Sequence, residues 1–172
     1  MLIFTVGHSI RAAAEFLQLL NTHAVDGVAD VRRFPASRRH PQYSRDALAP
    51  FLATAGLRYT DIPELGGRRH PLQGSRNTAW QNSSFRGYAD YMTTDGFRAG
   101  IEALLAFAAA GPTAIMCAEA QWWRCHRQLI ADALVAGGIE VRHIMSPTRA
   151  PVHRLTAFAS IEGSRVTYRG LI

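Results

Sequence analysis

Residues 113–132 read TAIMCAEAQWWRCHRQLIAD. The apolar run Ala114-Ile115-Met116 ends in Cys117 and predicts a short buried strand. A polar connector follows, with Glu119, Trp122 and Trp123, and then Arg124-Cys125-His126-Arg127 leads into a segment of helical periodicity closed by Gly137-Gly138. Strand, connector, helix is the repeating unit of an α/β fold. Both cysteines of the chain lie in this stretch.

Working outward, residues 95–110 predict a helix with Phe97, Ile101, Leu104, Leu105 and Ala108 on its core face, stopped by Gly111-Pro112. Residues 139–144 predict the next strand. At the N-terminus, residues 2–6 form an apolar strand candidate followed at once by Gly7-His8-Ser9. Ser9 is placed to cap a helix running through Ala13, Phe16, Leu17 and Leu20. Residues 26–31 and 57–62 predict two further strands, with a Ser44-capped helix through Leu48 and Leu52 between them. Residues 85–92 predict a short helical excursion and residues 165–168 a short edge strand. Residues 146–159 carry no strong pattern. The expected architecture is a small three-layer α/β domain spanning 1–172, with a mostly parallel sheet and helices on both faces. One long polar loop, about residues 63–84, interrupts it. Its length suits a lid or binding loop.

The composition, 48% hydrophobic and 19% charged, is that of a globular chain. No apolar run reaches the ~20 residues that cross a bilayer, so no membrane partner is expected. The N-terminus lacks the basic start of a signal peptide, and two cysteines are too few for a disulfide scaffold. A cytoplasmic setting with reduced thiols is the expectation. The formal net charge is +6, and arginine carries the positive side. A guanidinium fork suits phosphate and carboxylate, so the charge points to a phosphate-bearing small molecule or nucleic acid.

Functional groups of open α/β sheets gather beyond the C-terminal ends of the strands. Four of those ends or their loops carry chemistry: His8-Ser9, Asp30 with Arg32, Gly66-Gly67, and Cys117 to Arg127. Several readings compete there. Cys117 can be a nucleophile stabilised by a helix N-terminus and arginines, although its spacing to Arg124 is not that of the familiar phosphatase loop. Glu119 and His126, with His8 and Asp30, can move protons, while Ser9, Arg32, Gly66, Gly67, Arg124 and Arg127 hold an anion and Trp122 stacks a base. Cys117, Cys125 and His126, with His8, can be viewed as metal ligands, but seven residues between the cysteines match no common zinc spacing, and adjacent residues on a helix point about 100° apart. No metal ligand is therefore assigned, and any cofactor is left open. The last reading is structural, with Cys117 a buried small hydrophobe, the tryptophans packing and Glu119 paired with an arginine, in a domain that is purely structural or a non-catalytic module for an anion or nucleic acid.

The same residues resemble a known family. Thr5-Val6-Gly7-His8-Ser9, Asp30-Val31-Arg32 with Pro35 and Ser37, Leu65-Gly66-Gly67, Phe85 with Tyr88 and Met92, and Met116-Cys117-Ala118-Glu119 with Cys125-His126-Arg127 together resemble the family named domain of unknown function 488. The resemblance implies a small cytoplasmic α/β domain with one pocket formed by those blocks. It does not choose among the chemistries.

Overall fold

The computed structural model describes residues 1–170; the final two positions of the expected span lie outside the described residues. Five strands form one all-parallel sheet: β1 (Leu2–Gly7), β2 (Gly27–Asp30), β3 (Arg58–Asp61), β4 (Thr113–Cys117) and β5 (Glu140–Ile144). Their order is β3-β2-β4-β1-β5. The strand nominated by the cysteine-bearing stretch is thus central, with Ile115 in register with Thr5 on one side and Ala29 on the other. Side chains alternate across the pleat. Ile3, Ala29, Ile115 and Val141 face one core, and Phe4, Val28, Ala114 and Ile144 face the other.

Each core has its own helices. α1 (Ala13–Thr22) and α2 (Arg45–Thr54) bury Phe16, Leu20, Leu48 and Leu52 in the second core. α3 (Ser83–Tyr91), α4 (Asp95–Ala108) and α5 (Arg127–Ala136) bury Tyr88, Leu104, Leu129 and Ile130 in the first. The expected three layers are present. Because β4 sits between β1 and β2, the chain leaves β4 toward one face and its two neighbours toward the other. A crevice opens at such a reversal. None of the helices among the described residues is long and apolar enough to cross a membrane.

Two local expectations change. Ser9 does not cap α1: its backbone is left-handed, with φ of 53°, and the helix starts later, with Ala12 at the cap position and its N–H donating to Glu15. The C-terminal strand β7 (Arg165–Thr167) does not edge the main sheet. It pairs antiparallel with β6 (Ser160–Glu162) in a separate hairpin.

The long polar loop is built around one carboxylate. Asp90 on α3 is buried and accepts from the Leu72 N–H at 2.9 Å, the Ser75 hydroxyl at 2.7 Å and the Asn77 amide at 2.8 Å. Asn77 in turn accepts from the Tyr168 N–H at 3.0 Å, tying the loop to the C-terminal segment. Only Gly67, Arg68 and Ser84 of this region reach the crevice.

A second buried polar chain lies beneath α5. Thr5 Oγ1 is 2.7 Å from His143 Nδ1, His143 Nε2 is 2.9 Å from His153 Nδ1, and His153 Nε2 is 2.8 Å from Asp132. Thr156 and Tyr168 hydroxyls donate to the other Asp132 oxygen. Burial pulls His143 down to about 3, with the charges of His153 and Arg127 adding to it.

Asp90→Ala would orphan three donors. It should cost on the order of 2–3 kcal/mol in denaturant unfolding and expose residues 68–78 to limited proteolysis. Because His143 binds its proton less readily folded than unfolded, its contribution to stability is whole above about pH 6.5 and is lost as the pH falls toward 3. Melting temperature should therefore drop on acidification below pH 6.5. His143→Asn should melt lower at pH 7 but show a shallower acid slope.

Candidate functional site

The crevice at the ends of β1, β2 and β4 is a cleft of about 880 Å³. Its backbone walls continue the sheet past the strands. The His8 N–H donates to Cys117 O and the Ser9 N–H to Ala118 O, each at 2.9 Å, so the loops after β1 and β4 run paired. Gly7 makes this possible: a Cβ there would run into the Glu119 carbonyl. Gly66 is needed for the same reason, with Arg33 Cα 2.6 Å from where its Cβ would stand.

At the end of β2, Arg32 is buried and held on three sides. Its Nε donates to Asp30 Oδ1 at 2.9 Å, and its Nη2 to Asp30 Oδ2 at 2.6 Å and to Tyr43 O at 2.7 Å. Burial alone would lower the guanidinium; the hydrogen bonds and charge of Asp30 outweigh that and raise it above its ordinary value. The Tyr59 hydroxyl also donates to Asp30, at 2.8 Å. Nη1 is left toward the cleft, 3.4 Å from His8 Nε2. The His8 ring stacks on Tyr43 with centroids 4.0 Å apart, and its Nδ1–H donates to Ser9 O at 2.8 Å. Burial pulls His8 down to about 4, against the Ser9 hydrogen bond, which raises it. His8 is therefore neutral at pH 7 and offers a lone pair.

The floor near α5 holds the two thiols. Cys125 has extended backbone (φ −131°, ψ 150°), while His126 has turned helical at the cap of α5. The pair therefore straddles a bend and does not lie on a helix. Both side chains and Cys117 line the cleft. Arg127, fully buried, donates Nε–H to Cys125 Sγ at 3.4 Å and Nη2–H to the Glu119 carbonyl. The hydrogen bond from Cys117 lowers the Cys125 thiol well below its usual range, against burial, and Arg127 assists. Cys117 is correspondingly pushed up by its hydrogen bond to Cys125 and by burial.

Of the residues singled out by sequence, His8, Ser9, Arg32, Gly67, Cys117, Glu119, Arg124 and His126 line the cleft. Asp30, Gly66 and Arg127 stand directly behind that lining. Trp122 lies elsewhere. It stacks on His143 at 3.9 Å, nearly parallel, and covers the buried histidine chain. Arg33, Phe34, Ser37 and Tyr88 also enter the lining, the last two from blocks that carry the family resemblance. The first three sit in the basic loop after β2, whose charge is visible but whose path is not. By spacing, Cys125 suggests only a ligand; its arginine partner two residues on is the signal for an ionisable thiol. Altogether six arginines (32, 33, 38, 39, 68 and 124) line the cleft, against one carboxylate, Glu119.

Asp30→Ala leaves the Arg32 charge buried without its partner. It should destabilise by about 3–5 kcal/mol, while Tyr59→Phe should cost about 1 kcal/mol, both read from denaturant unfolding.

Neither the curated proteins nor the solved structures offer a match to the chain. The model of the family described as Domain of unknown function DUF488 matches residues 12–134. That span takes in Asp30, Arg32, Gly66, Gly67, Cys117, Glu119, Cys125, His126 and Arg127, while His8 and Ser9 precede it. With most of its length so matched, the chain belongs to the DUF488 family.

Proposed function

We propose that the cleft holds a phosphate-bearing substrate, a nucleotide or a nucleic acid, and that groups on its floor act on it by acid–base or cysteine chemistry. The observation that carries this reading is the charge of the lining: six arginines against Glu119 alone, at the crevice where β4 separates β1 and β2. Oxyanions are the ligands that repay so many guanidinium groups.

The arginines divide by constraint. Arg32 is fixed, and its Nη1 donates to His8 Nε2 at 3.4 Å, so the guanidinium and the ring form one anchoring point at the cleft wall. Arg33, Arg38, Arg39, Arg68 and Arg124 are exposed side chains that gather phosphate charge at the rim. Phe34 is 63% exposed beside Arg33, with the guanidinium carbon 5.6 Å from its ring, and offers a face on which a base can stack. Glu119 is exposed in the cleft and is the carboxylate available to take or give a proton there. The Cys117 and Cys125 thiols, with Arg127 donating to Cys125 Sγ, are the groups on the floor available for nucleophilic attack.

The reading is tested by fluorescence-anisotropy titration of a labelled single-stranded oligonucleotide and, in competition, a nucleoside monophosphate, across a series of salt concentrations. Binding should weaken steeply with salt. Arg38→Ser with Arg39→Ser, both at exposed positions, should lower affinity by at least about tenfold and flatten the salt slope by about one to two units. Absent or salt-insensitive binding overturns the proposal. Binding with no turnover of any phosphate-bearing substrate leaves the non-catalytic module in its place.

A further inference from the structure

We propose that Cys117, Cys125 and His126 form a three-ligand site for a thiophilic divalent cation, zinc above others, whose fourth position opens into the cleft. The two Sγ atoms and a ring nitrogen of His126 all lie within 4.8 Å of one another. Cys125 Sγ and His126 Nδ1 are 3.5 Å apart. A tetrahedral zinc with ordinary zinc–sulfur and zinc–nitrogen bonds holds such a pair about 3.6 Å apart.

The sequence spacing spoke against such a site, and the structure removes both objections. The seven residues between the cysteines include a 3-10 turn, Trp122–Arg124, so the connector folds back and delivers Cys125 to the end of β4. Cys125 and His126 occupy the change from extended to helical backbone, and adjacent side chains there can converge. Neither feature is visible as a ligand motif.

The histidine is prepared for ligation. Its Nε2 is 2.9 Å from the Val31 carbonyl, which can only accept, so Nε2 carries the proton and Nδ1 presents its lone pair to the sulfurs. Metal-binding histidines are commonly fixed by a hydrogen bond of this kind. Gly67 leaves the ring its room, since a Cβ there would stand 2.8 Å from Nδ1. Arg127 supplies an N–H to Cys125 Sγ, the type of outer contact that holds a ligating thiolate. Softness selects the ion: two sulfurs and an imidazole favour zinc over calcium or magnesium, which take oxygen.

His8 does not complete the set. Its Nε2 faces the Arg32 guanidinium at 3.4 Å, a position that repels a cation. All three proposed ligands line the cleft, so the fourth position is left for water or a substrate oxygen, the pattern of zinc sites that do chemistry. Ligation occupies both thiols and so replaces the cysteine chemistry proposed above, while the phosphate-holding arginines are untouched; it is measured without any organic ligand.

The test uses the full chain, stripped of metal with a chelator and kept reduced by a phosphine. Cobalt(II) titration should saturate at one equivalent, with a thiolate charge-transfer band in the near ultraviolet and the intense visible bands of a tetrahedral site. Zinc should displace it. Cys117→Ser, Cys125→Ser and His126→Gln should each weaken zinc binding at least about tenfold in competition with a chromophoric chelator, with folding checked by circular dichroism. Buried variants can fail to fold, so the wild-type chain is also labelled with a maleimide. Zinc should slow modification of both cysteines at least about tenfold. Cobalt bound without a charge-transfer band, zinc affinity unchanged in folded variants, or thiol labelling indifferent to zinc overturns the proposal.

Discussion

The site depends on a close approach between two loops that only a missing side chain permits. Gly7 ends β1 directly against the Glu119 carbonyl, where any Cβ would collide. That carbonyl accepts from buried Arg127, Arg127 donates onward to Cys125 Sγ, and Cys125 sits beside His126, which packs over Gly67. One continuous series of contacts thus joins the loops after β1 and β4, the start of α5 and the loop after β3. Arg127 is the member that cannot be spared: a buried guanidinium is costly unless its donors are used, and here they hold a backbone oxygen and a sulfur in fixed relation.

The central place of β4 makes this convergence a consequence of topology. The sheet order sets Cys117 between the ends of β1 and β2, so His8 and Arg32 arrive on either side of it without any long-range sequence signal. The two sides differ in charge. On the β2 side, Asp30 offsets Arg32 and fixes its direction. On the α5 side, sulfur and carbonyl groups receive Arg127, and no carboxylate is paired with it among the described residues. The acidic Cys125 thiol is the group that offsets Arg127 on that side, so the unpaired positive charge of the cleft is that of the exposed arginines of its lining.

Much of the frame was legible in the sequence, because apolar runs and helical spacing report burial directly. All five strands of the main sheet, the cysteine at the end of β4, and the helices on both faces follow from that pattern. What escaped was set by contacts between distant residues. Ser9 looks like a helix cap by type, but its left-handed backbone belongs to the turn that pairs with the β4 loop. Trp122 looks like a stacking platform, yet its plane is taken by His143. The His143–His153–Asp132 chain draws on β5, an unpatterned segment and the middle of α5, and no spacing rule links them. Asp90 reads as one more polar residue on a short helix, and only the fold reveals it as the anchor of the long loop.

The long loop bears on the site through that anchor. Had residues 66–80 been free, Gly67 and Arg68 would sample many positions, and ordering them on ligand binding would cost about 1–2 kcal/mol per residue. Asp90 and Asn77 meet that cost during folding, and the hydroxyls of Tyr88 and Tyr91 add to it by donating to the carbonyls of Leu65 and Glu64. Gly67 then stands against His126 before any ligand arrives. The polar stretch is therefore tethered to the body of the fold through Asp90, Asn77 and two tyrosine hydroxyls. The exposed arginine side chains are left as the parts of the cleft free to adapt, and whatever selectivity the floor has comes from groups already held in place.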